Sequence, residues 1–89
     1  MQERIFLYEF QENTNIRYVS FVESLQRFDL AIIQTKHFFG KLIVLDLQGN
    51  RFAVIGPDDL QEKGYLEEVF QLSKEAGTEL CNFLQEIIY

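Results

Sequence analysis

The stretch RFDLAIIQTKHFFGKLIVLDLQGNRFAVI, residues 27–55, constrains the fold more than any other part of the chain. It holds three strand-like runs of β-branched, leucine and aromatic residues with only short connections between them. Runs joined so closely must lie antiparallel, because a parallel neighbour needs a crossover of about a dozen residues or more. Gly49-Asn50 is a two-residue hairpin signal, and glycine in first place suits a type II′ turn. That turn sets Gln48 opposite Arg51, Leu47 opposite Phe52, Leu45 opposite Val54 and Val44 opposite Ile55. With an even connection around Phe38–Gly40, Ile33 faces Val44 and Ile32 faces Leu45.

This register sorts the side chains onto two faces, and a one-residue slip would scatter them. Phe28, Leu30, Ile32, Ile43, Leu45, Leu47, Phe52 and Val54 form the expected core face. The other face grades from a polar row, Asp29, Gln48 and Arg51, through Ala31, Asp46 and Ala53, to an apolar row, Ile33, Val44 and Ile55, with Leu42 beside it. Three adjacent apolar side chains across three strands call for a cover. Either residues 57–72 fold back over them or another copy of the chain does. With the long C-terminal helix needed on the first face, and the short helix at Tyr65–Leu72 able to cover one region only, a second copy is the favoured expectation. A two-fold dimer would use the same patch twice.

Residues 4–10 (RIFLYEF) and 16–22 (IRYVSFV) also read as strands, each bounded by turn-prone residues. An even turn into residue 28 puts Val19 and Phe21 inside; an odd one puts Tyr18 and Val22 there. After Ile55 the period changes. Gly56-Pro57-Asp58-Asp59 starts a helix, with proline first and carboxylates in the first turn, and Gly64 ends that turn. Tyr65, Leu66, Val69 and Phe70 mark a short amphipathic helix. Ser73 caps a longer one, whose stripe is Ala76, Leu80, Phe83, Leu84 and Ile87. Strands followed by helices predict a single α+β domain over residues 1–89, an antiparallel sheet of about five strands with C-terminal helices packed on one face. A chain of 89 residues buries roughly 60–65% of its unfolded surface, so it must use its apolar residues well or share them.

The charge excludes more than it assigns. The net charge is −6, and residues 57–89 carry eight acidic and two basic side chains, while residues 1–56 carry six of each. An acidic excess opposes nucleic-acid binding, which depends on basic contacts to phosphates. HFFGKL has a faint likeness to an aromatic RNA-binding strand but lacks its glycine-aromatic order. No apolar run is long enough to span a membrane, and no apolar leader follows Met1. A lone Cys81 cannot form an intramolecular disulfide, which suits a reducing compartment.

Chemistry-bearing residues are sparse. His37 sits at an expected turn with no nucleophile or orienting carboxylate beside it in a recognised pattern. Cys81 borders the helical stripe with no cation near in sequence to activate it. One Cys and one His are too few for zinc. Asp58, Asp59 and Glu62 lack the alternating carboxylates of a calcium loop, and their place in a first helical turn already accounts for them. Phe38 and Phe39 are loop-tip anchors, folded onto the core or onto a partner. No catalytic, cofactor-binding or metal-binding residue is expected.

RYVSFV, RFDLAIIQT, FFGKLIVLDLQGNRF, the IGPDDL turn and the YLEEVFQL-to-FLQEII finish together resemble a family of short uncharacterised cytosolic proteins of Gram-positive Firmicutes, grouped as a domain of unknown function. The resemblance covers residues 8–88 and is strongest at Phe39-Gly40-Lys41 and Asp58-Asp59-Leu60. It implies a cytoplasmic single domain and brings no catalytic residues. The expectation from the sequence is a non-enzymatic interaction module that self-associates as a dimer, through Ile33, Leu42, Val44, Ile55, Phe38 and Phe39, with an unidentified protein partner as a further possibility. The alternative is a regulatory domain that binds a small molecule in a pocket between sheet and helices.

Overall fold

A computed structural model describes residues 3–88. Four strands, β1 (Asn15–Glu23), β2 (Gln26–Gln34), β3 (Leu42–Asp46) and β4 (Arg51–Ile55), precede three helices, α1 (Pro57–Gln61), α2 (Tyr65–Phe70) and α3 (Lys74–Ile88). The strands lie in chain order, every neighbouring pair antiparallel. The expected α+β architecture is present, with four strands where about five were expected. Residues 4–10 have strand-like composition but belong to no strand, so the expected first strand is absent.

The three connections decide which side chains go inside. Ser24 and Leu25 join β1 to β2 with φ values of 48° and 69°, a two-residue turn in the left-handed region. Its even length settles the alternative left open by the sequence, and Val19 and Phe21 point to the helices. The Phe21 ring lies 5.1 Å from that of Phe28 and 4.7 Å from that of Phe83.

The connection from β2 to β3 corrects the expected register. It spans residues 35–41, an odd length, and sets Ile33 opposite Ile43 and Ile32 opposite Val44. One residue of slip reverses every side chain of the next strands relative to β2. The β3–β4 turn is also wider than expected, setting Leu45 opposite Phe52 and Val44 opposite Ala53. Asp46 causes this: its carboxylate accepts the Gly49 N–H at 3.1 Å and packs where a Cβ on residue 49 would sit. Asn50 then takes the positive φ (61°) that a type II′ turn would give to glycine. That change is two residues and keeps parity, so the slip between β2 and β3 alone flips the faces.

The core therefore differs from the expected one in half of the sheet. Phe28, Leu30 and Ile32 face the helices as expected, but their companions are Val44, Ala53 and Ile55. Ile43, Leu45, Leu47, Phe52 and Val54 turn to the opposite face. Leu60, Leu66, Phe70, Ala76, Leu80 and Leu84 close the core from the helical side. Each Leu, Ile or Phe buried in this way contributes about 1.5–3 kcal/mol relative to exposure.

The helices follow their sequence signals. The Gly56 N–H donates to the Asp59 carboxylate at 2.8 Å, and Pro57 opens α1. Gly64, at φ 82°, supplies the left-handed residue between α1 and α2. The Ser73 hydroxyl accepts the Ala76 N–H at 3.1 Å, which caps α3.

Candidate functional site: the bare face of the sheet

All three helices sit on one side of the sheet, and the register fixes what is left on the other. Ile16, Ile33, Ile43 and Val54 stand opposite one another in an unbroken row across β1, β2, β3 and β4. Tyr18, Ala31, Leu45 and Phe52 form a second complete row beside it. Phe52 is 67% exposed, Tyr18 70% and Ile16 46%, while Ile33, Ile43, Leu45 and Val54 are half-buried among them. Leu47 extends the apolar surface beside Leu45, whereas Val22 is cut off from it by the Ser20–Asp29 pair. With strands about 4.8 Å apart and the two rows about 7 Å apart, the rows and their side chains make a patch roughly 20 Å by 13 Å. That is comparable with the largest apolar patch of an ordinary monomer, which is often a functional surface.

A polar group closes one end. Asp29 accepts from the Ser20 hydroxyl at 2.6 Å and from Arg27 Nε at 3.0 Å. The Ser20 hydroxyl, and then the Arg27 guanidinium, hold its carboxyl below the ordinary value. The expected polar row of Asp29, Gln48 and Arg51 is split, since Arg51 shares the parity of Ala53 and Ile55 on the helix side.

The sequence-expected contact residues scatter. Ile33 lies on the bare face. Val44 and Ile55 have no exposed surface and belong to the core, so they offer nothing to a partner. Leu42 is half-buried and packs against that core. Phe38 joins an aromatic group with His37, Phe10 and Tyr8, in which the His37 ring lies 4.6 Å from Phe38 and 4.7 Å from Phe10. Phe39 is 97% exposed at the loop tip. The residues sequence reasoning missed are Ile16, Tyr18, Ile43, Leu45, Phe52 and Val54. For Ile43, Leu45, Phe52 and Val54 the signal was an equally apolar alternation on both faces of β3 and β4, between which only the length of the 35–41 connection chooses; for Ile16 and Tyr18 the two-residue Ser24–Leu25 turn decides.

Several ionisable groups have structural partners, whereas Glu79 Oε2 is buried with no hydrogen-bond partner. Asp59 caps α1 and pairs with Lys41 at 3.2 Å. Cys81 is half-buried, its thiol directed at the Leu60 carbonyl at 3.7 Å, and burial, with Glu67 nearby, pushes its pKa up. Burial, followed by the Asp59 charge, raises the Tyr65 phenol. Glu12 accepts from the Thr35 hydroxyl and, at 3.3 Å, from the Lys36 N–H; the hydroxyl above all keeps its carboxyl below the ordinary value. Among the described residues, no three His, Cys, Asp or Glu side chains are grouped to hold a metal ion. A hollow of about 190 Å³ lies among the helices, lined by Leu60, Gly64, Glu67, Gly77 and Cys81, and another of about 200 Å³ lies between Ile87 and the β1–β3 ends. Both are below the roughly 300 Å³ at which ligand pockets usually begin.

No helix among the described residues is long and apolar enough to cross a membrane. No curated protein matches the chain. A family model does, over residues 7–86, from the N-terminal aromatic segment to the end of α3, and on that match the chain belongs to the SAV0927-like family.

Proposed function

We propose that this protein is a small non-enzymatic interaction module that self-associates through the bare face of its sheet. The supporting observation is the pair of apolar rows, Ile16–Ile33–Ile43–Val54 and Tyr18–Ala31–Leu45–Phe52, left open while every helix covers the other side. A second copy is the occupant that suits this surface. Two such faces pack as a sandwich at about 10 Å, with strands inclined by about 30°. The charge distribution favours the same arrangement. Residues 1–56, which build the sheet, carry six acidic and six basic groups, whereas the acidic excess lies in residues 57–89, which build the helices. Two copies meeting face to face bring neutral layers together and keep their acidic helices outermost. A half-buried, unactivated Cys81 thiol accords with a reducing cytoplasm, as does the likeness to cytosolic proteins of Firmicutes.

Sedimentation equilibrium of the Phe52→Lys chain tests this reading. Phe52 is already exposed, so the substitution leaves circular dichroism unchanged, and the particle mass falls to half that of the native chain. An unchanged mass would remove the bare face from the account.

A further inference from the structure

We infer that a second surface, the free edge formed by residues 4–23, joins two copies by reciprocal strand exchange, each copy laying its residues 4–10 along the β1 edge of the other. This goes beyond the face-to-face contact and does not require it.

The edge is open, with Arg17 and Glu23 as its charged side chains. β1 is the outermost strand, nine residues long, with no proline or glycine and, among the described residues, no strand paired to its outer side. Natural sheets blunt such edges, because an open row of N–H and C=O groups recruits another strand. The segment before it is built to be that strand. Arg4–Phe10 holds five large apolar residues and is exposed throughout, with Leu7 at 93%. The radius of gyration, 15.1 Å, exceeds the about 12 Å of a compact chain of this length, and the long axis is 51 Å, as expected of an arm held clear of the body.

The arm cannot readily turn back onto its own β1. Thr14 donates to the Gln34 carbonyl, Glu12 is held by Thr35 and Lys36, and Phe10 packs on His37. These contacts lie on the β2 side of the arm, continuing the β1–β2 hairpin. They fasten residues 10–14 on that side, away from the free edge of β1.

Two such runs are self-complementary when paired antiparallel about Asn13. Residue 4 then faces residue 22 of the second copy, and residue 10 faces residue 16. The pairs fall into place by chemistry as well as by length. Leu7 meets Val19, Ile5 meets Phe21, Tyr8 meets Tyr18 and Phe10 meets Ile16, while Glu9 meets Arg17. A shift of two residues either way sets Leu7 opposite Arg17 or Glu9 opposite Val19. The two-fold symmetry makes every pair twice, including the Glu9–Arg17 charge pair. Edge pairing leaves the bare faces of both copies on the same side, so the two contacts together assemble four chains as two stacked sheets.

Charge reversal in the full chain tests the register. In the Phe52→Lys background, where only the edge remains, the chain sediments as a dimer. Glu9→Arg weakens that dimer by about tenfold or more, because two pairs turn repulsive at once. Adding Arg17→Glu restores it. A Phe52→Lys chain that is already monomeric, a mass indifferent to Glu9→Arg, or a double reversal that fails to restore association would each overturn the exchange. A native mass that falls with Glu9→Arg and not with Phe52→Lys would remove the face contact and keep the edge.

Discussion

The two faces of this sheet carry nearly the same chemistry and have opposite fates. Towards the helices stand Phe28, Leu30, Ile32, Val44, Ala53 and Ile55, all buried. Away from them stand Ile16, Tyr18, Ala31, Ile33, Ile43, Leu45, Phe52 and Val54, several of them open to solvent. An antiparallel sheet with one wet face ordinarily alternates apolar with polar residues along each strand. Here β3 and β4 do not alternate in that way: LIVLD and RFAVI supply leucine, isoleucine, valine or phenylalanine to both sides. The lesson is that a second hydrophobic layer has been encoded, and the chain's own helices can fill only one of the two.

The largest effect separates the faces outright. Val44→Lys places an unpaired charge where no surface is exposed, and it should cost about 4 kcal/mol or more, enough to unfold a small domain. Phe52→Lys, one strand away on the opposite face, should leave the urea midpoint within a fraction of that. Equal losses from both would mean that the bare face is already internal to the monomer.

This contrast also shows where the sequence could and could not be read. The helices were legible because their signals are local: Pro57 after Gly56, Ser73 before α3, and the stripe ending in Leu84 and Ile87 each act within a turn or two of themselves. The inner parity of β2 was legible for the same reason. The faces of β3 and β4 were not, since both sides are apolar and the choice rests on whether residues 35–41 form an even or an odd connection. His37, Phe38 and the Lys41 N–H bond to the Phe38 carbonyl at 2.9 Å spend those residues on a longer loop stacked against Phe10 and Tyr8. That loop depends on a segment some 25 residues earlier in the chain, and no local pattern records it. For the candidate site the same slip moved Val44 and Ile55 inward and brought Ile43, Leu45 and Phe52 out. The segment 4–10 reads as a strand from its composition, yet it forms none, because composition alone does not supply a neighbouring ladder.

A second comparison sets Leu80 of α3 against the sheet. Leu80 is 1% exposed and sits in the covered layer, so Leu80→Ala should lower stability by about 2–5 kcal/mol in chemical denaturation. It should leave the association of the folded chain unchanged, since no side chain on the bare face moves. A loss below about 1 kcal/mol would place the weight of the core elsewhere than under α3.

The smallest effect has the opposite sign. Ser24 and Leu25 hold positive φ in a turn where asparagine and glycine are at ease, and Leu25 extends into solvent. The double substitution Ser24→Asn with Leu25→Gly should raise stability by about 1–2 kcal/mol. The mass of the particle should stay the same, which would show that stability and association are set by different parts of the sheet. A destabilised chain would mean that Leu25 has a contact its exposure does not reveal.

The most direct measurement is an isotope-filtered NOE experiment on an equal mixture of fully labelled and unlabelled chains, which detects only contacts between copies. Cross-peaks from the Phe52 and Tyr18 rings to isoleucine and leucine methyls of the other copy, at Ile16, Ile43 and Leu45, are the predicted result. Intermolecular cross-peaks confined to the helices, or a chain tumbling as a 10.5 kDa monomer with none at all, would contradict it.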